Sequence, residues 1–342
     1  MHATKKNTLI VKAPENLNVH HDKCAGKTIQ FVNILKKRVR EAARAPDRTK
    51  VLVCFEQTMS INASGVVYLY AQLDRLTTRY PKVFFKIQRP KRPSRPQKFK
   101  YLVDEVLNRI GIYELLGQAH LPLQEGPSVK CWKVFSSNSV DMESVMGILD
   151  STLEGRESKI EDKVYRGLSE AVANATDHAY HTGIQSDADC SVQRHWFLSA
   201  VYDNELYIIV CDLGHGIPYT LGYTDTTKKV GFVTKLLEMV SSEDDEKAKD
   251  RPIIIKKKHS NLIHAATLIH KTRTDETHRG KGGQDMRQIV DDNKGAEMTI
   301  LSRKGRFTYR NQLSKRNNKS NRSESLDGTI VGWSIPLNGD TQ

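Results

Sequence analysis

The stretch LYIIVCDLGHGIP, residues 206–218, is the part of the sequence on which the fold prediction chiefly rests. Its first six residues are apolar and rich in β-branched side chains, which is typical of a buried strand, and Asp212 follows them. Gly214 and Gly216 come next, and residues without a side chain let a flat ring or another backbone approach closely. A carboxylate at such a strand end can accept a hydrogen bond from an exocyclic amine. Because glycines are common at strand ends, this interpretation needs support from other motifs.

A predicted helix before this strand carries three polar residues at a spacing of four. Glu170, Asn174 and His178 would stack along one face of an α-helix and offer a carboxylate, an amide and an imidazole. The alternative is the solvent face of an ordinary amphipathic helix, since apolar residues such as Leu168 and Val172 alternate with them.

A glycine-rich segment after the strand, RGKGG at residues 279–283, opens another predicted helix. Free backbone N–H groups and the positive end of the helix dipole favour a phosphate at such a place, and Arg279 and Lys281 add positive charge. Its spacing is not that of the P-loop, and an ordinary flexible connector is the alternative.

In this order and at these separations, the motifs resemble the N, G1, G2 and G3 boxes of the Bergerat-fold (GHKL) ATPases, the family of gyrase, sensor histidine kinases and mismatch-repair ATPases. The boxes would be residues 170–180, 212–216 and 280–283, with Gly328 and Thr329 entering a late strand. The HAY ending of the first box and the segment after RGKGG are most similar to bacterial anti-sigma-factor kinases. The resemblance implies a two-layer α/β sandwich, a histidine-kinase-like ATP-binding domain, over residues 141–342.

The resemblance also implies a role for each matching residue at the adenine end of a bound ATP. Asp212 would accept a hydrogen bond from the adenine amine, with Thr329 in support. Gly214 and Gly216 would border the base.

At the phosphate end, Asn174 would hold Mg²⁺ and Glu170 would be the general base, orienting a water or a partner's hydroxyl for attack. The phosphates would be wrapped by four residues at the end of a mobile lid: Gly280, Lys281, Gly282 and Gly283. The lid would span about residues 219–283. It is longer and more basic than the family pattern, and Gly283 and Gln284 stand where the family usually continues Gly-Leu. The lack of a separate dimerisation helix with a phosphoacceptor histidine argues against a sensor histidine kinase.

The first 125 residues predict a small α/β domain, with strands near 51–55 and 83–87 and a helix near 63–80 between them. This order is partly similar to the STAS fold of anti-sigma-factor antagonists, in which a serine before a helix is a phosphorylated switch. Ser64 would stand in that place, and a plain helix N-cap is the alternative. The domain would act as a regulator or as a dimerisation surface of a homodimer. Residues 126–140 are predicted to be the linker.

The composition describes a globular protein, with 342 residues of which 38% are hydrophobic. No apolar run approaches the roughly 18 residues that cross a bilayer, and the first residues lack the apolar core of a signal peptide. We therefore expect a cytoplasmic protein without membrane contact. The five cysteines form no C-x-x-C pair and give no support to a disulfide framework or a zinc site.

Positive charge exceeds negative charge, with 53 Lys and Arg against 40 Asp and Glu. The excess lies in three patches, at residues 89–100, 251–258 and 303–322. No base-reading module accompanies them, so they predict either solvated loops or nonspecific contact with nucleic-acid phosphates.

Three functions follow as hypotheses. The first is a Mg-dependent ATP-binding protein with slow ATPase activity, whose lid closure controls a contact with a protein partner. The second is a protein serine kinase of a partner-switching pathway, acting on a STAS-type partner or on Ser64. The third is a nucleotide-gated subunit of a defence or DNA-processing assembly, in which the basic patches carry the function.

Overall fold

A computed structural model describes residues 8–91, 100–119, 129, 131–154, 160–221, 258–268, 282–311 and 317–337. The chain divides into two compact units, residues 1–134 and 135–342, and the predicted linker spans this division. Both units mix helices and strands, so the mixed α/β class is confirmed. Gly280, Lys281 and most of the predicted lid lie outside the described residues.

The first unit contains a three-stranded parallel sheet in the order β1-β3-β5. Its strands are β1 (Thr8–Lys12), β3 (Lys50–Cys54) and β5 (Phe84–Gln88), and a short parallel pair is formed by β2 (Asn16–Leu17) and β4 (Ser60–Ile61). Its helices are α1 (Asp22–Arg44), α2 (Ala63–Arg79), α3 (Lys100–Arg109) and α4 (Ile112–Leu115). The strands and the helix of the predicted β-α-β segment are present, each displaced by no more than a residue at either end.

The start of α2 differs from the prediction for Ser64. Asn62 is the N-cap, since its side-chain oxygen accepts a hydrogen bond from the backbone N–H of Gly65 at 2.8 Å. Ser64 is the second residue inside the helix and is 8% exposed. Its hydroxyl lies 3.3 Å from the side-chain oxygen of Asn62. The N-cap interpretation of Ser64 is therefore wrong, because the preceding asparagine performs that role.

The second unit is built on a seven-stranded sheet in the order β11-β10-β9-β12-β8-β7-β6. The pairs from β7 to β11 along this order are antiparallel. The strands are β6 (Lys133–Ser137), β7 (His195–Tyr202), β8 (Glu205–Asp212), β9 (Glu297–Ser302), β10 (Gly305–Arg310), β11 (Asn317–Asn321) and β12 (Thr329–Pro336). β8 is thus an inner strand, which explains the uninterrupted apolar run that precedes Asp212.

Helices of the second unit are α5 (Met142–Leu153), α6 (Ile160–Ala173), α7 (Ile217–Thr220), α8 (His259–Ala266) and α9 (Gly282–Asp292). α6 and α9 pack closely at Gly167, where an added Cβ would lie 2.5 Å from the carbonyl oxygen of Asp285. α9 is held to the sheet by Trp333, whose indole N–H donates to the carbonyl oxygen of Met286 at 3.0 Å. Among the described residues, no helix is long and apolar enough to cross a membrane.

Candidate functional site

The end of β8 holds Asp212 in a buried position, 5% exposed. Its carboxylate accepts a hydrogen bond from the backbone N–H of Gly214 at 2.9 Å. The antiparallel register places Thr329 of β12 opposite Asp212, and Thr329 donates to the carboxylate from its backbone and its side chain. Burial raises the pKa of Asp212 to about 7, while the hydrogen bonds from Gly214 and Thr329 act in the opposite direction. This strand end therefore presents a buried oxygen acceptor.

Two glycines beside Asp212 are required by contacts within the protein. A Cβ on Gly214 would lie 2.1 Å from the carbonyl oxygen of Ala179, and one on Gly328 would lie 2.1 Å from the carbonyl oxygen of Asp212. Gly328 also has a φ of +67°, which side chains rarely adopt. The sequence predicted the close approach of either a flat ring or another backbone at Gly214, and the described contact is with the backbone of Ala179.

Ser302 is a member of the site that the sequence did not indicate. It is fully buried at the end of β9, and its hydroxyl lies 3.0 Å from the hydroxyl of Thr329. The same hydroxyl accepts from the backbone N–H of Ile217 at 2.9 Å and donates to the carbonyl oxygen of Gly328 at 3.2 Å. Because Ser302 pairs with Thr329 across two strands, only the sheet order could have identified it.

A second group of predicted residues lies at the end of α6. The Asn174 amide donates to the Glu170 carboxylate, with 3.1 Å between Nδ2 and Oε1. Gly282, the first residue of α9, faces the same carboxylate, since a Cβ there would lie 2.0 Å from Oε1 of Glu170. Burial raises the pKa of Glu170 and the charge of Asp285 adds to this, whereas Asn174 and His178 lower it. The structure thus brings the first and third predicted boxes together at one carboxylate.

Residues 174–178 form a turn of π-helix that continues α6. Such turns widen the helix and occur often at functional sites. The predicted stack of Glu170, Asn174 and His178 assumed α-helical geometry throughout. In the structure Glu170 and Asn174 are in contact, while His178 is exposed and affects Glu170 only through its charge.

Two hydrogen bonds at the end of the π-turn connect the group at Asp212 with the group at Glu170. The backbone N–H of His215 donates to the carbonyl oxygen of Ala179 at 2.8 Å. The hydroxyl of the buried Tyr180 accepts from the backbone N–H of Leu213 at 3.1 Å. The exit of β8 is therefore fastened directly to the end of the first box.

Both ring nitrogens of the His215 side chain have partners within the protein. Its Nδ1 lies 2.6 Å from the Ser186 hydroxyl, and its Nε2 lies 3.1 Å from the carbonyl oxygen of His181. Burial lowers the pKa of His215, and the charge of Arg303 lowers it further. Arg303 itself is buried, has a φ of +54° and forms an ion pair with Asp187. These contacts attach residues 181–187 to the turn that contains Gly214 and Gly216.

Gly216 has a φ of +84°, and a Cβ there would lie 2.8 Å from the side chain of Arg303. Gly283 faces α8, since its Cβ would lie 2.4 Å from the carbonyl oxygen of Thr267. The predicted partners Gly280 and Lys281 are outside the described residues.

Within the described parts of the chain, no three His, Cys, Asp or Glu side chains are grouped as a metal site would require. All five cysteines are free thiols. Comparison of the chain with protein-family models, with curated proteins and with solved structures found no match.

Proposed function

We propose that residues 141–342 form a Bergerat-type domain that binds ATP and Mg²⁺ and hydrolyses ATP slowly, and that closure of its lid controls contact with a protein partner. One observation carries this proposal. The order of the motifs along the sequence suggested the four boxes, and segments that are far apart in the sequence come together at two carboxylates. Glu170 meets Gly282 at one of them, and Asp212 meets Thr329 at the other.

The chemistry at Asp212 suits an adenine amine. A buried carboxylate is costly as an anion unless enough donors surround it, and its raised pKa reflects that cost. The exocyclic amine of adenine would supply a further donor and would favour the ionised form of Asp212. The hydroxyls of Ser302 and Thr329 would hold the neighbouring strand end in register.

The residues at Glu170 also fit a nucleotide-bound Mg²⁺. Since the Asn174 nitrogen donates to Glu170, the amide oxygen is the atom that a cation would contact. Mg²⁺ often takes one or two protein oxygens and completes its shell with water and phosphate oxygens. A single amide oxygen is therefore compatible with the lack of a carboxylate cluster among the described residues. Bound Mg²⁺ would neutralise charge on the phosphates.

Glu170 is suited to act as a general base. Its raised pKa makes the ionised carboxylate a stronger proton acceptor than an exposed one. α9 begins at Gly282 beside Glu170, and the free backbone N–H groups at the start of a helix would favour a phosphate there. The roles of Gly280 and Lys281 in this cradle stay predictions.

The kinase hypothesis differs in the acceptor of the γ-phosphate. Self-phosphorylation at Ser64 gains no support from the structure, because that hydroxyl is buried in α2 beside Asn62. A serine on a separate partner could still accept the γ-phosphate, with Glu170 accepting the proton of its hydroxyl. The test must therefore follow both phosphate released to water and phosphate transferred to protein.

The test is Mg-dependent turnover of γ-labelled ATP by the full chain, with free phosphate and protein-bound label followed in one tube. We expect free phosphate from the wild type and a loss of about a hundredfold or more in Glu170→Gln, with ATP binding preserved. Glu143→Gln, an exposed glutamate at the start of α5, is the matched control and should retain full turnover. Label on the chain would favour the kinase instead, and unchanged turnover in Glu170→Gln would contradict the assignment of the base.

A further inference from the structure

One face of the parallel sheet in the first unit lacks a covering layer in the described structure. Residues on successive strands that pair in register share a face, so Leu9, Val51 and Phe85 lie on one side and Thr8, Lys50 and Phe84 on the other. The first side is the inner one: Val51 and Val53 are fully buried, and α1 packs against β1 and β3.

The opposite side, which we term the open face, consists of three register rows: Thr8, Lys50 and Phe84, then Ile10, Leu52 and Lys86, then Lys12, Cys54 and Gln88. Ile10 is 54% exposed and Phe84 is 42% exposed. Parallel sheets are normally covered on both faces, because their strands lack a polar side. An exposed isoleucine and phenylalanine on such a sheet therefore indicate an interaction surface.

The open face combines an apolar centre with positive charge. Ile10 and Leu52 are register neighbours, and Lys86 continues the same row on β5. β1, β3 and β5 carry three lysines and no acidic residue: Lys12, Lys50 and Lys86. The Arg48 guanidinium lies 3.7 Å above the centre of the Phe84 ring. A complementary partner needs an apolar stripe bordered by carboxylates.

We propose that the open face binds an amphipathic helix of a partner protein, with aliphatic residues on Ile10, Leu52 and Phe84 and flanking Asp or Glu residues on the exposed Lys12 and Lys86. A helix is the element that usually covers a parallel sheet. The charges of the face disfavour a second copy of the same surface, since like charges would meet. Its centre is aliphatic, and its one aromatic ring is stacked by Arg48, so it offers little for the bases of a nucleic acid. The proposal does not depend on nucleotide binding in the second unit.

A photoreactive phenylalanine analogue placed at position 10 of the full chain tests this proposal in the cells that express it. Position 34 is the control, because Ile34 is similarly exposed, at 49%, but lies on α1. We expect a crosslink from position 10 and not from position 34, to a segment with apolar residues at helical spacing and flanking acidic residues. Crosslinks to nucleic acid, to another segment of the same chain or to nothing would each overturn the proposal.

The crosslinked segment, made as a synthetic peptide, then allows a measurement of affinity. Ile10→Asp should weaken its binding by about tenfold or more, and Lys86→Glu by about threefold at low salt, while Ile34→Asp should leave it unchanged. Both changed positions on the open face are exposed, so the variants should fold. Equal affinity of wild type and Ile10→Asp would show that the peptide binds elsewhere and would overturn the proposal.

Discussion

The candidate site has two halves that differ in how they are held. The strand-end half is fixed by the register of three adjoining strands, β8, β12 and β9, and consists of Asp212, Gly214, Ser302, Gly328 and Thr329. The helix-end half depends on the ends of α6 and α9, and consists of Glu170, Asn174 and Gly282. The first half is buried and hydrogen-bonded throughout, whereas Glu170 and Asn174 are only partly buried. Under the proposed function, we expect recognition of the adenine base to rely on the fixed half and ATP turnover to rely on the arrangement of the two helices.

The largest expected effect is on the stability of the strand-end half. Gly214→Ala would put a Cβ 2.1 Å from the backbone oxygen of Ala179, and backbone cannot move aside cheaply. We expect the free energy of unfolding to fall by about 3 kcal/mol, measured by urea denaturation.

The matched control is Gly147→Ala in α5, where an added Cβ meets nothing within 4 Å. This substitution should stabilise the protein by about 0.5–1 kcal/mol, because alanine is the better helix former. Equal effects at the two positions would contradict the close approach of β8 to the π-turn.

The next largest effect is the pH dependence of the unfolding free energy that Asp212 causes. The pKa of Asp212 in the folded protein is about 7, well above that of an unfolded aspartate, so the folded state binds the extra proton. Its contribution to stability is complete below about pH 4 and is lost as the pH rises through about 7. Between pH 5 and 8 the wild type should lose about 2 kcal/mol of unfolding free energy relative to Asp212→Asn, which has no such proton. A constant difference between the two proteins across this range would argue against burial as the cause.

The smallest expected effect on stability is that of Gly282→Ala, and this substitution distinguishes the roles of the two halves most clearly. Gly282→Ala would displace the Glu170 carboxylate, which is the end of a flexible side chain, so stability should change by less than about 1 kcal/mol. Turnover should fall by about tenfold, while ATP affinity changes by less than about threefold. Should affinity fall as much as turnover, the helix-end half would also be responsible for binding.

The sequence predicted most of the secondary structure and the short-range contacts. The apolar run of β8, the helix at 63–79 and the contact of Glu170 with Asn174 follow from periodicity and spacing. The role of Ser302 could not be predicted in this way, because Ser302 belongs to the site only through the pairing of β9 with β12. The π-turn at 174–178 has no sequence signal of its own, and the sequence therefore predicted a regular α-helix through His178. The open face was also missed, since a short apolar strand does not reveal which of its faces a helix covers.

The most direct test of ATP recognition compares the affinities of the full chain for ATP and inosine triphosphate by calorimetry, in the wild type and in Asp212→Asn. Inosine triphosphate carries a carbonyl oxygen in place of the exocyclic amine, so it offers Asp212 no donor at that position. We expect the wild type to bind ATP at least about tenfold more tightly, and Asp212→Asn to lose this preference because its amide can donate to the carbonyl. An unchanged affinity for ATP in Asp212→Asn, or a wild type that does not distinguish the two nucleotides, would contradict the assignment of Asp212 to the adenine amine.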